Sequence, residues 1–199
     1  MEVARPASFI YINGYPGVGK LTIAKELLNL LPSPAKLLDN HLLIDPVAAL
    51  LDRGSGEYQS LRKRLRLTVL SAIAESSELK STTLIFTDQQ SSSAVGSDVA
   101  QDYYNAAKTR GCPFYSIRLL CSEQENLRRA VNEERKIGGT TKLMDIDIIK
   151  RMRNEEDIYS FGGDYELSLD VTSLSAEEAA REILEFVKTV SLKTAAWGT

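Results

Sequence analysis

Phe9-Ile10-Tyr11-Ile12-Asn13-Gly14-Tyr15-Pro16-Gly17-Val18-Gly19-Lys20-Leu21-Thr22 is the stretch whose reading decides the fold. Its opening run is apolar and uninterrupted, rich in aromatic and β-branched side chains, and closed by Asn13-Gly14, as expected of a strand buried on both faces. Beyond the loop, Leu21, Ala24, Leu28 and Leu31 recur at helical spacing until Pro32 and Pro34 stop the pattern. A glycine loop between a strand and a helix start, ending in lysine, is a phosphate cradle. Glycines let the backbone curl so that successive N–H groups point inward, the helix N-terminus adds partial positive charge, and Lys20 can bridge the outer phosphates. Gly14, Tyr15, Pro16, Gly17, Val18, Gly19, Lys20, Leu21 and Thr22 are therefore candidate nucleotide contacts, with Lys20 also a catalytic candidate.

Working outward, strands are expected at Ala35 to Leu38, Thr82 to Phe86, Phe114 to Leu120 and Glu166 to Val171. The last alternates polar Glu166, Ser168 and Asp170 with apolar Leu167, Leu169 and Val171, which suits an edge strand with one solvated face. Helices are expected from about Leu42 to Leu51, from Glu57 to Leu79 with the stripe Leu61, Leu65, Val69 and Ile73, before Gly111, and from about Met144 to Tyr159. Ser122 with Glu125 and Ser175 with Glu178 have capping-box spacing and mark two further helix starts. Strands and helices alternate throughout residues 1–199, which argues for one α/β domain with a parallel sheet and helices on both faces. Ligands of such sheets bind beyond the carboxyl ends of the strands, so the loops starting at Asn13, Asp39, Thr87 and Cys121 should converge.

Composition narrows the function. With 199 residues, 43% of them hydrophobic, the chain can bury a sizeable core. A net charge of −3 gives no global attraction to polyanions, so phosphate must be held locally and nucleic acid is not an expected partner. Two cysteines, Cys112 and Cys121, make neither a zinc cluster nor a secreted disulfide framework, and a reducing cytoplasm suits them. Neither a signal peptide nor a membrane span of roughly 20 apolar residues is expected.

The loop departs from the commonest pattern, which places Ser or Thr directly after the lysine to ligate magnesium; here Leu21 stands there and Thr22 follows. Gly14, Pro16, Gly17, Gly19, Lys20 and Thr22 match the loop G-x-P-G-x-G-K-G-T, so this segment resembles the nucleoside monophosphate kinases. Beyond it, the chain lacks that family's acceptor-domain pattern and looks more like the broader P-loop kinases of small metabolites and antibiotics, such as the gluconate, shikimate and chloramphenicol kinases. The resemblance implies a three-layer α/β/α fold with a five-stranded parallel sheet of order 2-3-1-4-5, ATP and Mg2+ as cofactors, and a small-molecule phosphate acceptor.

It also implies roles. Asp39, at the end of the second strand, matches the carboxylate that receives the acceptor proton, although Asp39 or Asn40 could equally cap the helix that follows. Asp88, ending the strand Leu84 to Thr87, matches a carboxylate that assists magnesium together with Thr22, the favoured reading over simple turn chemistry. Residues 128–143 look like a mobile lid, with Arg128 and Arg135 as catalytic candidates beside Arg129 and Lys136 around Gly138-Gly139. Glu125, Glu133 and Glu134 could instead pair with those bases along a solvated helix face. Arg62, Lys63 and Arg66 could similarly grip an anionic acceptor, though a solvated face is the preferred reading, and His41, the single histidine, reads as an acceptor contact or a helix-start residue. Val171 and Thr172 fall where these kinases touch the adenine. The competing expectation is a nucleotide-binding regulatory or degenerate P-loop protein with little phosphotransfer, motivated by Leu21.

Overall fold

A strand with no polar face needs cover on both sides, and β1 (Phe9–Gly14) has it, since every one of its residues is buried. In this computed structural model, which describes residues 7–131 and 145–196, with side chains to residue 193, β1 is the middle strand of five. The others are β2 (Ala35–Asp39), β3 (Thr83–Asp88), β4 (Phe114–Leu120) and β5 (Glu166–Asp170). The order is β2-β3-β1-β4-β5, as expected, and all four pairings are parallel. The connections carry α1 (Lys20–Leu30), α2 (His41–Ala48), α3 (Tyr58–Glu75), α4 (Ala94–Arg110), α5 (Glu123–Ala130), α6 (Ile146–Glu155) and α7 (Ala176–Ala196).

The strand's period of two divides β1 between two cores. Ile10 and Ile12 pack with Ile23 and Leu27 of α1 and Ile183 and Val187 of α7. Phe9 and Tyr11 pack with Leu70 of α3 and Tyr103 and Ala107 of α4. The second core is aromatic: the Tyr11 ring centre lies 4.9 Å from that of Tyr103 and 5.9 Å from that of Phe114. Fully burying one such side chain contributes about 1.5–3 kcal/mol. At the sheet edge, β5 keeps the alternation read from its sequence, with Ser168 and Asp170 exposed and Leu167 and Leu169 against the first core.

Three local expectations are corrected. The fully buried line of α3 is Tyr58, Arg66 and Leu70, while Leu61, Leu65, Val69 and Ile73 are only partly buried. Arg66 is the reason: rather than facing solvent, it turns inward and donates from Nε and Nη2 to Asp102 Oδ2 at 3.1 and 2.9 Å. A buried guanidinium is tolerable there because a carboxylate meets it. The Ser122 box is only half made, since Ser122 Oγ accepts from Glu125 N, but the Glu125 carboxylate turns away to two arginines. The Ser175 box is complete in both directions. Finally, α2 is shorter than expected, ending at Ala48.

Register brings the strand ends level. Asp39 pairs with Thr87 across β2 and β3, and Asn13 pairs with Asp88 across β1 and β3. The carboxyl ends of these strands therefore open on one face, beside the loop that leads from β1 into α1.

Candidate active site

A cleft of about 1160 Å³ opens at those strand ends. Its wall includes Gly17, Gly19, Lys20, Leu21 and Thr22 on one side and Asp39, His41, Arg62, Thr87 and Asp88 on the other. The loops after β1, β2 and β3 thus converge as expected. The loop at Cys121 contributes indirectly, through Arg128 and Arg129 of the helix it begins.

The glycine loop is held open by backbone geometry. Gly19 has φ 106°, a left-handed conformation that side chains disfavour, and a Cβ on Gly14 would lie 2.9 Å from the Leu119 carbonyl oxygen. Gly19 is also the N-cap of α1, and no side chain caps that helix. Its first N–H groups are therefore donors for an anion, reinforced by the helix dipole. Lys20 Nζ donates to the carbonyls of Gly14 at 2.7 Å and Tyr15 at 2.9 Å, which holds the ammonium against the loop. Leu21 is partly buried and Thr22 exposed at the mouth of α1. Tyr15 and Val18 point away from the cradle: the Tyr15 hydroxyl donates to the Glu156 carbonyl at 2.8 Å, and Val18 is fully buried.

Side chains not expected to do so fasten this loop, among them Arg129, which the sequence placed in the lid. Asn13 Oδ1 accepts from Gly14 N at 3.0 Å and Gln90 N at 2.8 Å, and its amide donates to the Gln90 carbonyl. Asn126, with 0% exposure, donates to the Pro16 carbonyl at 2.8 Å and accepts from Arg153, whose guanidinium also lies 4.7 Å from the Tyr15 ring centre. Arg129 donates to the carbonyls of Val18 at 3.2 Å, Val171 at 2.9 Å and Thr172 at 3.2 Å. Asn13 could have been suspected from its place at the strand end. The others act across distant parts of the chain and leave no local pattern.

On the opposite wall, Asp39 and Asp88 are each held by a residue of the neighbouring strand end. The Thr87 hydroxyl donates to Asp39 Oδ1 at 2.5 Å, and the Asn40 amide donates to Asp88 Oδ1 at 2.6 Å. Asn40 occupies the N-cap position of α2, yet its side chain does not cap the helix. The cap alternative for Asn40 is thereby set aside. Asp88 is 1% exposed and takes further bonds from Gln89 N at 2.8 Å and Gln90 Nε2 at 2.9 Å, with the Tyr11 hydroxyl at 3.5 Å. Burial pushes its carboxyl above the usual range, while those two bonds and the charges of Arg62 and Arg66 pull the other way. His41 faces Asp45 at 3.5 Å and lines the cleft.

Arg128, on α5, has a side chain 71% exposed and donates twice, at 2.7 Å, to Glu125. The two arginines hold the Glu125 carboxyl down at about 2. Arg135, Lys136 and the rest of the lid-like segment from residue 132 lie outside the described residues. The side chain of Val171 is fully buried in the first core, so only its backbone faces Arg129. Thr172 Oγ1 donates to Asp170 at 2.5 Å and accepts from Ser122 N at 2.9 Å.

No protein-family model matches this chain, and no curated protein matches it in sequence. Solved structures are similar to it in shape. A gluconokinase from Sinorhizobium meliloti 1021 is 13% identical, with a TM-score of 0.64 and 98% of each chain covered. The tunicamycin resistance protein of Deinococcus radiodurans is 19% identical, with a TM-score of 0.60 over 91% of this chain and 95% of that one. The APS kinase of Mycobacterium tuberculosis, solved with AMPPNP and APS, is 16% identical, with a TM-score of 0.58 over 92% and 99%. At such identities the likeness speaks for architecture, and it agrees with the strand order and the glycine loop: this chain has the fold of the P-loop small-molecule kinases.

Proposed function

We propose that this protein is an ATP-dependent kinase that transfers the γ-phosphoryl group to a hydroxyl or phosphate of a small molecule. The observation that carries the reading is the meeting, in one cleft, of an uncapped glycine-loop helix start and Lys20 with the carboxylates of Asp39 and Asp88. The loop N–H groups and Lys20 would bind the β- and γ-phosphates and neutralise charge as it shifts, which is most of what a loose phosphoryl transfer asks of a protein. Asp39 would receive the proton of the acceptor hydroxyl, with Thr87 occupying Oδ1 and so leaving Oδ2 for that task.

Magnesium bound with a nucleotide keeps several waters and takes one or two protein oxygens besides the phosphates. The donor set fits: among the described residues no cluster of three metal-ligating side chains exists, but Asp88 and Thr22 offer oxygens on the cleft wall. The ion would supply neutralisation of the β- and γ-oxygens. Arg128 and Arg135 would add donors to the transferring group, and the backbone at Val171 and Thr172 would face the base. No helix among the described residues is long and apolar enough to cross a membrane. A cytoplasmic setting, a small-molecule partner and no nucleic-acid partner complete the reading.

The test is ADP release from Mg-ATP by the purified chain against nucleosides, nucleotides, sugars, sugar acids and aminoglycosides, beside Lys20→Met. Acceptor-dependent release that falls by about 10²–10³-fold in the variant supports transfer, the scale expected for losing one transition-state donor. ATP binding with no acceptor effect would leave a nucleotide-binding protein without transfer, the reading that Leu21 favours.

A further inference from the structure

The two oxygens of Asp88 are treated unequally. Oδ1 accepts from Asn40 Nδ2 at 2.6 Å, Gln89 N at 2.8 Å and Gln90 Nε2 at 2.9 Å, which fills its lone pairs. Oδ2 has among the described residues only the Tyr11 hydroxyl, at 3.5 Å, the far limit of a hydrogen bond. Asp88 therefore has one oxygen to offer in the cleft, and the donors on Oδ1 decide how the carboxylate is turned. Gln89 N is backbone next to Asp88 itself and Asn40 comes from the acceptor side, so the Gln90 amide is the donor whose use the kinase reading leaves open.

Gln90 joins three parts of the molecule. Its N–H donates to Asn13 Oδ1 at 2.8 Å and its carbonyl accepts from Asn13 Nδ2 at 2.9 Å. The same Asn13 Oδ1 accepts from Gly14 N, at the start of the glycine loop, at 3.0 Å. On the other side, the Gln90 carbonyl accepts from Tyr159 N at 3.0 Å and Ser92 N donates to the Asp157 carbonyl at 2.8 Å, in the segment that leaves α6. Ile158 of that segment pairs antiparallel with Ser91 and is 3% exposed. The backbone at position 90 is clamped from both sides, and a side chain on a clamped backbone holds its direction.

We propose that Gln90 is a positioning residue: its amide occupies Asp88 Oδ1 and so leaves Oδ2 as the oxygen that Asp88 presents to the magnesium bound with the nucleotide, or to one of that ion's waters, while Asn13 ties this direction to the start of the phosphate loop. The inference rests on the kinase reading of the cleft and deepens it, because the phosphate loop and the β3 carboxylate then share one geometry through two side chains. A purely structural role at this position is served by the backbone bonds to Asn13 and Tyr159, which many residue types would keep. The amide on Asp88 is what the glutamine adds, and Gln90 acts through that carboxylate.

Titration of the AMPPNP-loaded protein with Mn2+, which takes the place of magnesium and is counted by electron paramagnetic resonance, tests this. Gln90→Met and Gln90→Leu, neither able to donate, probe the amide, and Asp88→Asn is the reference for losing the carboxylate. Gln101→Leu is the structural control, since it loses a bond of 2.9 Å to the Tyr159 hydroxyl on the same segment and touches neither Asp88 nor Asn13. The Gln90 variants should bind Mn2+ about tenfold to a hundredfold more weakly than wild type, the scale for losing a partner that orients a metal-binding carboxylate, with AMPPNP affinity in EDTA unchanged. Gln101→Leu should lower the urea midpoint and leave Mn2+ affinity alone. Mn2+ affinity within about twofold of wild type in a folded Gln90 variant or in Asp88→Asn, or an equal loss in Gln101→Leu, overturns the inference while leaving the kinase reading intact. Failure of both Gln90 variants to fold assigns the residue to structure and overturns it as well. Failure of the wild-type protein to bind AMPPNP brings down the kinase reading and this inference with it.

Discussion

On the phosphate side of the cleft, Arg129, Asn126 and the Tyr15 hydroxyl reach backbone carbonyls of Val18, Pro16 and Glu156, whereas on the acceptor side Asp39, Asn40, Thr87 and Asp88 bind one another's side chains and amides. The first arrangement fixes a backbone shape and spends few side chains on it, because the ligand is to be met by N–H groups. The second fixes the directions of two carboxylates, where the proposed chemistry would lie in side chains. Under the proposed kinase function, a cradle of the first kind could be shared by proteins that phosphorylate different molecules, while the second kind would set what is phosphorylated.

If that division is correct, the largest loss should come from the acceptor side. Asp39→Asn should lower kcat by about 10²–10⁴-fold with little change in the KM for ATP. Steady-state kinetics with the best acceptor decide it, and a kcat within tenfold of wild type would remove Asp39 from proton transfer. Next comes Arg129→Ala, which takes one side chain from three carbonyls at once. Unfolding free energy should fall by about 2–3 kcal/mol, the cost of leaving carbonyls unsatisfied, and ATP affinity should weaken with it. Urea melts beside nucleotide titrations would show whether loop shape and ATP binding move together; stability lost with ATP affinity intact would break the comparison.

Glu125→Gln sharpens it through pH. The Glu125 carboxyl is held at about 2 by hydrogen bonds from Arg128 and Arg129, below its ordinary value of 4.5, so the stabilisation exists above the ordinary value and disappears as pH falls toward 2. At pH 7 the variant should be about 1 kcal/mol less stable, a figure kept small because Arg128 is largely in solvent, and its urea midpoint should converge on wild type toward pH 2. A gap that stays constant with pH would show that packing, and not charge, is what Glu125 supplies. The smallest effect is expected of Tyr15→Phe. It loses the bond to the Glu156 carbonyl and keeps the ring beneath Arg153, for about 1 kcal/mol by thermal or urea melting and no change in kcat.

How much of this could be read in advance follows the same division. The run from Phe9 to Thr22 identified the strand, the loop and the helix because each depends on residues close in sequence. Asp39 and Asp88 could be picked out as carboxylates ending apolar strands. Thr87 and Asn40 could not, because their roles exist only once β2 and β3 lie in register. The inward turn of Arg66 is hidden for a related reason: the pattern around it, Arg62, Lys63, Arg64 and Arg66, looks like an exposed face until Asp102 of α4 comes against it.

By itself, then, the sequence determined the alternation of strands and helices, the sheet in which β1 is buried on both sides, and the phosphate cradle, since hydrophobic periodicity and glycine conformations are local properties. Only the tertiary structure decided which arginines are spent on structure. Arg66, Arg129 and Arg153 are held by a carboxylate on another helix, by backbone carbonyls, and by Asn126 with the Cys121 carbonyl, while Arg62 faces the cleft. The physical reason is that a guanidinium's role is set by the acceptors within about 3 Å of it, and those acceptors come from chain segments far away in sequence.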